Sequence, residues 1–221
     1  MNYLQLVQQL HSDVGAAGNA PASVVGQTGE AGRLVNWIKF ADWYIQNLYT
    51  RWKFLRVAFS VNSTAFTSTI SKPAVLKQWD LDTFIYSQSP IEVVEYDTVK
   101  SEYFDTTIFG PPSRLIVMPN KDLRVDPIPS AVYAFTGDYY KLPIFLAANA
   151  DISLIPEEFH MTILGRAMIL YSNYENAPEI KTQGQEIYGE FFPRLFDDQI
   201  TTQYDNSGYK GTGGYFEVVA E

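Results

Sequence analysis

Residues 28–61 read TGEAGRLVNWIKFADWYIQNLYTRWKFLRVAFSV, and the hydrophobic period changes inside this one stretch. In the first part Leu34, Trp37, Ile38, Ala41, Ile45 and Leu48 fall on a single stripe of a helix with 3.6 residues per turn. That helix is expected to begin near Thr28, with Glu30 and Arg33 in its first turns. In the second part Leu55, Val57, Phe59 and Val61 alternate with Phe54, Arg56, Ala58 and Ser60, which is the period of a strand. A helical segment therefore hands over to a β-rich one close to residue 53.

Working towards the N-terminus, Asn2–His11 carries Leu4, Val7 and Leu10 at three-residue steps with Leu6 beside them, the pattern of a short amphipathic helix. Between the two helices lies DVGAAGNAPASVVGQTG, residues 13–29, whose glycines and Pro21 mark an ordered excursion.

Towards the C-terminus, short strands broken by turns are expected as far as Leu146. Candidates are Ile91–Tyr96, Arg114–Met118, Leu123–Asp126 and Ala131–Tyr140, the last with Tyr133, Phe135 and Tyr139 on one face. Pro119-Asn120-Lys121 supplies a turn, and Pro111, Pro112, Pro127 and Pro129 forbid a long helix. A short helix around Asp97–Phe104 is expected to interrupt the sheet. Helical spacing returns after Asp151. Pro156 suits a first turn, and Glu157 and Glu158 suit the positive end of the helix dipole. Phe159, Ile163, Ala167, Leu170 and Tyr174 form a stripe widened by Leu164, Met168 and Tyr171, predicting burial against the Trp37 stripe. A last helix is expected from Pro178 towards Gln199, ended or kinked by Pro193.

The expected class is α+β: a helical bundle built from both chain ends, with an inserted antiparallel β-rich domain and an extended C-terminal arm. The divisions are 1–53, 54–152, 153–203 and 204–221. The arm, from the Tyr204 region onwards, is rich in glycine and small polar residues yet ends in Tyr215, Phe216, Val218 and Val219. A pliant linker with a sticky tip, Tyr209 included, has the composition of a segment that orders on a partner. The bland alternative is a frayed terminus.

Composition narrows the function. The absence of cysteine excludes disulfides, thiol catalysis and iron–sulfur ligation. A net charge of −9 argues against a protein that grips nucleic acid, which needs clustered Lys and Arg. No stretch is apolar enough to span a bilayer, and no signal-peptide pattern opens the chain. Of the two histidines, His11 closes the first helix. His160 lies three residues after Glu157, half of a bundle-type di-metal motif without its second copy, so a solvated surface or interface position is expected. Gly26-Gln27-Thr28-Gly29 lacks the lysine of a phosphate-binding loop and reads as a turn. The pairs Asp80/Asp82 and Asp197/Asp198 read as solvated carboxylates. No catalytic residue, metal or cofactor is expected. The 15 tyrosines point instead to extensive contact with other chains, because tyrosine is enriched at interfaces. A carbohydrate-binding module or glycosidase is the alternative use of the same aromatics.

Three blocks resemble the head-to-tail adaptor, or neck, proteins of tailed, podovirus-like phages. One is the opening YLQLVQQLHSDVG with Val25-Gly26-Gln27-Thr28-Gly29-Glu30 and the helix through Leu34, Asn36 and Trp37, here with Asn-Ala-Pro-Ala-Ser in place of a Gly-Pro start. The second is Leu154-Ile155-Pro156-Glu157-Glu158-Phe159-His160 continuing to Ala167, Met168, Leu170 and Tyr171, and the third is Leu123-Arg124-Val125-Asp126-Pro127-Ile128-Pro129. The resemblance covers about residues 1–203; Pro193 and the Gly/Tyr tail depart from it. It implies a structural virion protein, made in the host cytoplasm and placed between capsid and tail. Its copies would form a ring, about twelve in number. Its partners would be the portal, reached by the C-terminal segment, and a nozzle or tail-tube protein, with double-stranded DNA passing through unspecifically and no membrane involved. Another neck ring, a stopper or nozzle component, is the nearest alternative.

Overall fold

The computed structural model describes residues 1–102 and 107–200. Four of its helices carry one core. α1 spans Tyr3–Asp13 and α2 spans Gly29–Leu48. α4 spans His160–Glu175, entered through a 3-10 turn at Glu157–Phe159, and α5 spans Pro178–Gln199. A one-turn helix, α3, covers Tyr96–Val99.

α1 starts with a capping box: the Asn2 side chain accepts from the Gln5 amide and the Gln5 side chain accepts from the Asn2 amide. Its buried face is Tyr3, Leu6, Val7 and Leu10, with Leu4 half-buried, so the face leans one position from the three-step reading. α4 turns sharply into α5 through Asn176, which sits in the left-handed region at φ 53°. α5 runs through Pro193 to Gln199 without ending there. The missing Pro193 amide would have bonded Gly189, whose Cβ position meets only open space, so the ring is accommodated on the exposed side of the helix.

Among the described residues the β region holds ten strands: β1 (Arg56–Asn62), β2 (Thr69–Ile70), β3 (Leu76–Tyr86), β4 (Ser89–Pro90), β5 (Glu92–Glu95), β6 (Phe109–Gly110), β7 (Arg114–Val117), β8 (Leu123–Asp126), β9 (Ile128–Pro129) and β10 (Ala134–Lys141). One sheet has the order β1-β10-β3-β4 and is antiparallel throughout. A second has the order β2-β8-β7-β5, with β5 parallel to β7. A two-strand ribbon pairs β6 with β9, also in parallel. The inner faces of the two larger sheets share one core: Leu76, Trp79, Phe84, Phe135 and Tyr139 from the first, and Ile70, Leu115, Val117, Leu123 and Val125 from the second. The antiparallel expectation therefore needs widening to include two parallel pairs. The short helix, expected at Asp97–Phe104, begins one residue earlier and spans a single turn.

The two cores meet at Leu55, Tyr140 and Leu146, which leave the β region to join the helical cluster. Asp80, read from sequence as solvated, is buried here instead. Arg56 reaches it at 3.3 Å and Asp138 at 2.7 Å, and this shared cation is what makes a carboxylate tolerable inside the sheet.

Candidate functional site

α2 is apolar on two sides. Its inner stripe places Leu34, Ile38, Ala41 and Ile45 in the core, fully buried. From α4, Ile163 and Ala167 are fully buried and Phe159 is buried at its entrance. Trp37 and Leu170 pack on the same cluster while remaining partly exposed. Tyr174, placed by its spacing at the end of the α4 stripe, is 61 % exposed.

The outer side carries Phe40, 51 % exposed, with Trp43 and Tyr44 beside it. A segment without regular structure, residues 142–155, lies along this side and is fixed there by side chains. Gln46 imitates a strand: its Oε1 accepts from the Ile144 amide at 3.2 Å while its Nε2 donates to the Ile144 carbonyl at 3.4 Å. Gln46 Nε2 also donates to Asp42 Oδ2 at 2.8 Å. Ser153 Oγ donates to Asp42 Oδ1 at 2.5 Å and accepts from the Ile155 amide at 3.0 Å. At the far end, Asn149 Oδ1 accepts from the Val24 amide, and the Tyr3 amide donates to the Asp151 carbonyl.

Pinned in this way, Phe145 stacks on Trp43 at 5.3 Å with planes 9° apart, and Phe40 meets it edge-on at 6.4 Å. The band continues in the other direction through Trp37, which packs against Tyr171 at 5.5 Å and Tyr174 at 5.7 Å. Three cations lie over its rings: Arg33 over Tyr174 at 4.7 Å, Lys39 over Phe145 at 5.1 Å and Arg166 over Tyr44 at 4.3 Å. With Leu142 and Ile144 also exposed, the outer side of α2 carries a cluster of exposed aromatic and apolar side chains. The sequence stripe captured only the inner side of α2. The signal for the outer one was the presence of Phe40, Trp43 and Tyr44 between the core positions, which makes the helix apolar nearly all round.

Beneath the band lies a cavity of about 230 Å³ lined by Asp42, Gln46, Ile144, Phe145, Leu146, Asp151, Ile152 and Leu154. Burial pushes the Asp42 carboxyl up to about 7, against the opposing pull of the Ser153 and Gln46 hydrogen bonds. The Ser153 hydroxyl donates to the carboxylate and accepts from the Ile155 amide, so the cluster ties two segments together. His160 is buried, not at a surface: one ring nitrogen, Nε2, lies 3.0 Å from the Ile155 carbonyl, and Nδ1 lies 3.1 Å from the Met1 amine, which donates to Glu157 at 2.6 Å. Desolvation holds its pKa below the usual histidine range. Among the described residues no group of His, Asp or Glu is placed to hold a metal ion, and no helix is long and apolar enough to cross a membrane. Gly26 and Gly29 both adopt positive φ, 72° and 60°, so that loop is a turn built on glycine.

A smaller apolar tip stands at the ribbon. Phe66, at φ 61°, meets Phe109 edge-on at 5.6 Å, with Ile108 and Val132 also exposed. Tyr209, Tyr215, Phe216, Val218 and Val219, the residues expected to contact a partner from the C-terminal arm, lie outside the described residues.

No curated protein matches the chain. A family model does: that of the SU10 adaptor protein, over residues 1–211, which takes in both helical segments and the β region between them. The chain belongs to the SU10 adaptor protein family.

Proposed function

We propose that this protein is the head-to-tail adaptor of a podovirus-like virion, a structural subunit without catalytic activity. About twelve copies form a ring between the portal and a nozzle or tail-tube protein. The observation that carries this reading is the exposed aromatic band of α2 and the 142–146 segment, a surface that calls for a protein partner. Genomic double-stranded DNA passes through the ring. A charge of −9 repeated in every copy repels the phosphate backbone and lets it slide without specific binding.

In this reading residues 1–53 and 153–203 make the helical core, 54–152 the inserted β domain, and 204–221 an arm that folds onto the portal, with Tyr209, Tyr215, Phe216, Val218 and Val219 as its contacts. Mixing the full chain with the portal from the same phage and sizing by light scattering tests the proposal. A discrete complex with a fixed ratio of chains supports it; a monomer that ignores portal defeats it. Deleting residues 204–221 is expected to leave a folded chain that no longer binds portal.

A further inference from the structure

We propose that the aromatic ridge of α2, centred on Phe40 and Trp43, is the surface on which a second copy of this chain lays the outer face of its α5. This rests on the ring reading and names the contact that closes it.

Two properties of the fold carry the inference. The first is placement. α4 meets α2 through Tyr171 and Tyr174 on Trp37, and meets α5 through Gly165, Met168 and Ile169 on Gly184. These are different sides of α4, and α5 also reaches the C-terminal end of α2, where Phe196 meets Tyr49 at 5.1 Å, so the Phe40–Trp43 ridge and the outer line of α5 are two separate faces of the bundle. A head-to-tail contact between identical subunits needs two unlike surfaces on separate faces, whereas a twofold contact needs one surface that matches itself.

The second is charge. Glu179, Glu186, Glu190 and Asp197 follow one another at steps of seven, four and seven, which places all four on a single line of α5. All are exposed, on the side away from Gly184 and Leu195. Only Glu190 has a cation partner among the described residues, Arg194 of its own helix at 3.0 Å. The α2 ridge has the converse arrangement. Lys39 and Arg166 lie over aromatic rings and form no ion pair with a carboxylate among the described residues. Each face thus carries the charges the other lacks. In a chain of net charge −9, copies packed side by side repel unless the contact itself is locally compensated.

The chain contains no cysteine, so paired substitutions report this contact without background. Phe40→Cys and Glu186→Cys are introduced singly and together, and disulfide formation is followed in the chain alone at high concentration and in the complex with portal. Both positions are exposed, so the fold is retained, which a melting curve verifies. The double variant is expected to give a ladder of covalent oligomers, and each single variant none. Lys39→Glu is expected to lower oligomer formation at least about tenfold, with recovery when Glu186→Lys and Glu190→Lys are added. Dimers from Phe40→Cys alone would show a twofold contact and overturn the proposal. A normal portal complex without cross-links would also overturn it and leave the adaptor reading intact. Cross-linked ladders that never bind portal would keep the contact and remove the adaptor reading.

Discussion

Gly165 of α4 and Gly184 of α5 face each other where the two helices cross, so close that a Cβ on Gly165 would stand 2.9 Å from the Gly184 carbonyl oxygen. It would also stand 2.8 Å from the Tyr188 amide nitrogen, and a Cβ on Gly184 would stand 2.9 Å from the Gly165 carbonyl oxygen. These neighbours are backbone atoms, which cannot swing aside, so the helices themselves would have to part. Gly165→Ala or Gly184→Ala is therefore expected to destabilise the chain by about 1–3 kcal/mol, the usual effect of overpacking. Gly189 lies on the same α5 but faces open space, and Gly189→Ala should instead stabilise by about 0.5–1 kcal/mol through helix propensity. Thermal melting of the three variants reads opposite signs from one chemical change.

Asp42 makes the stability depend on pH. Its pKa rises on folding from the ordinary carboxylate value to about 7. Between about pH 4 and pH 7 the folded chain keeps a proton that the unfolded chain has lost, so this group's contribution is complete in acid and fades as pH climbs to 7 and beyond. The slope is about 1.4 kcal/mol per pH unit, on the order of 4 kcal/mol across the window. Asp42→Asn imitates the protonated side chain and is expected to match the parent near pH 4.5 and exceed it clearly at pH 8. His160, held below its usual pKa, works in the opposite sense, favouring the fold as pH rises through its range. The difference between parent and variant isolates Asp42, and denaturant midpoints at three pH values measure it.

Arg56 joins β1 to two acids on neighbouring strands, Asp80 of β3 and Asp138 of β10. Arg56→Ala would leave Asp80 buried with, among the described residues, the Tyr140 hydroxyl at 3.4 Å as a weak donor. Because Arg56 itself is partly open to solvent, the expected loss is about 1–3 kcal/mol, below that of breaking a fully buried pair. Lys100→Ala, which removes an exposed pair with Asp97, should change stability by less than about 0.5 kcal/mol. Urea unfolding separates the two.

The same residues explain what could be read from the chain beforehand. α2, β8 and the helix after Pro156 were legible because each repeats one period against one core. β3, the longest strand, was not, and its sequence LKQWDLDTFIY shows why. A register shift opposite Thr136 and Asp138 breaks its alternation, and Asp80 occupies a buried position that a charged residue rarely takes. Residues 142–155 were equally opaque, since Gln46 and Asp42 hold them, through Ile144 and Ser153, from nearly a hundred residues or more away in sequence. The outer aromatic face of α2 was masked by the inner one. His160 was misplaced because its Met1 and Ile155 contacts arise only from packing.

Phe66 is held at φ 61°, a conformation that costs a residue with a side chain about 1–2 kcal/mol, yet its own ring is 68 % exposed and contributes little to the core. Its amide donates to the Pro129 carbonyl at 2.8 Å, a bond that fixes the backbone whatever side chain is present. Phe66→Gly removes the strain and loses the edge contact with Phe109, worth about 0.5–1.5 kcal/mol, while adding the entropy of glycine in the unfolded chain. These terms nearly cancel, so deleting the whole aromatic ring should shift stability by less than about 1 kcal/mol. Phe84→Ala, a truncation in the sheet core, should cost about 3–5 kcal/mol. A large loss in the Phe66→Gly melting curve would show that the ring supports the fold after all. An unchanged curve leaves a strained, exposed aromatic that the monomer does not need, at a tip where the adaptor can meet a partner.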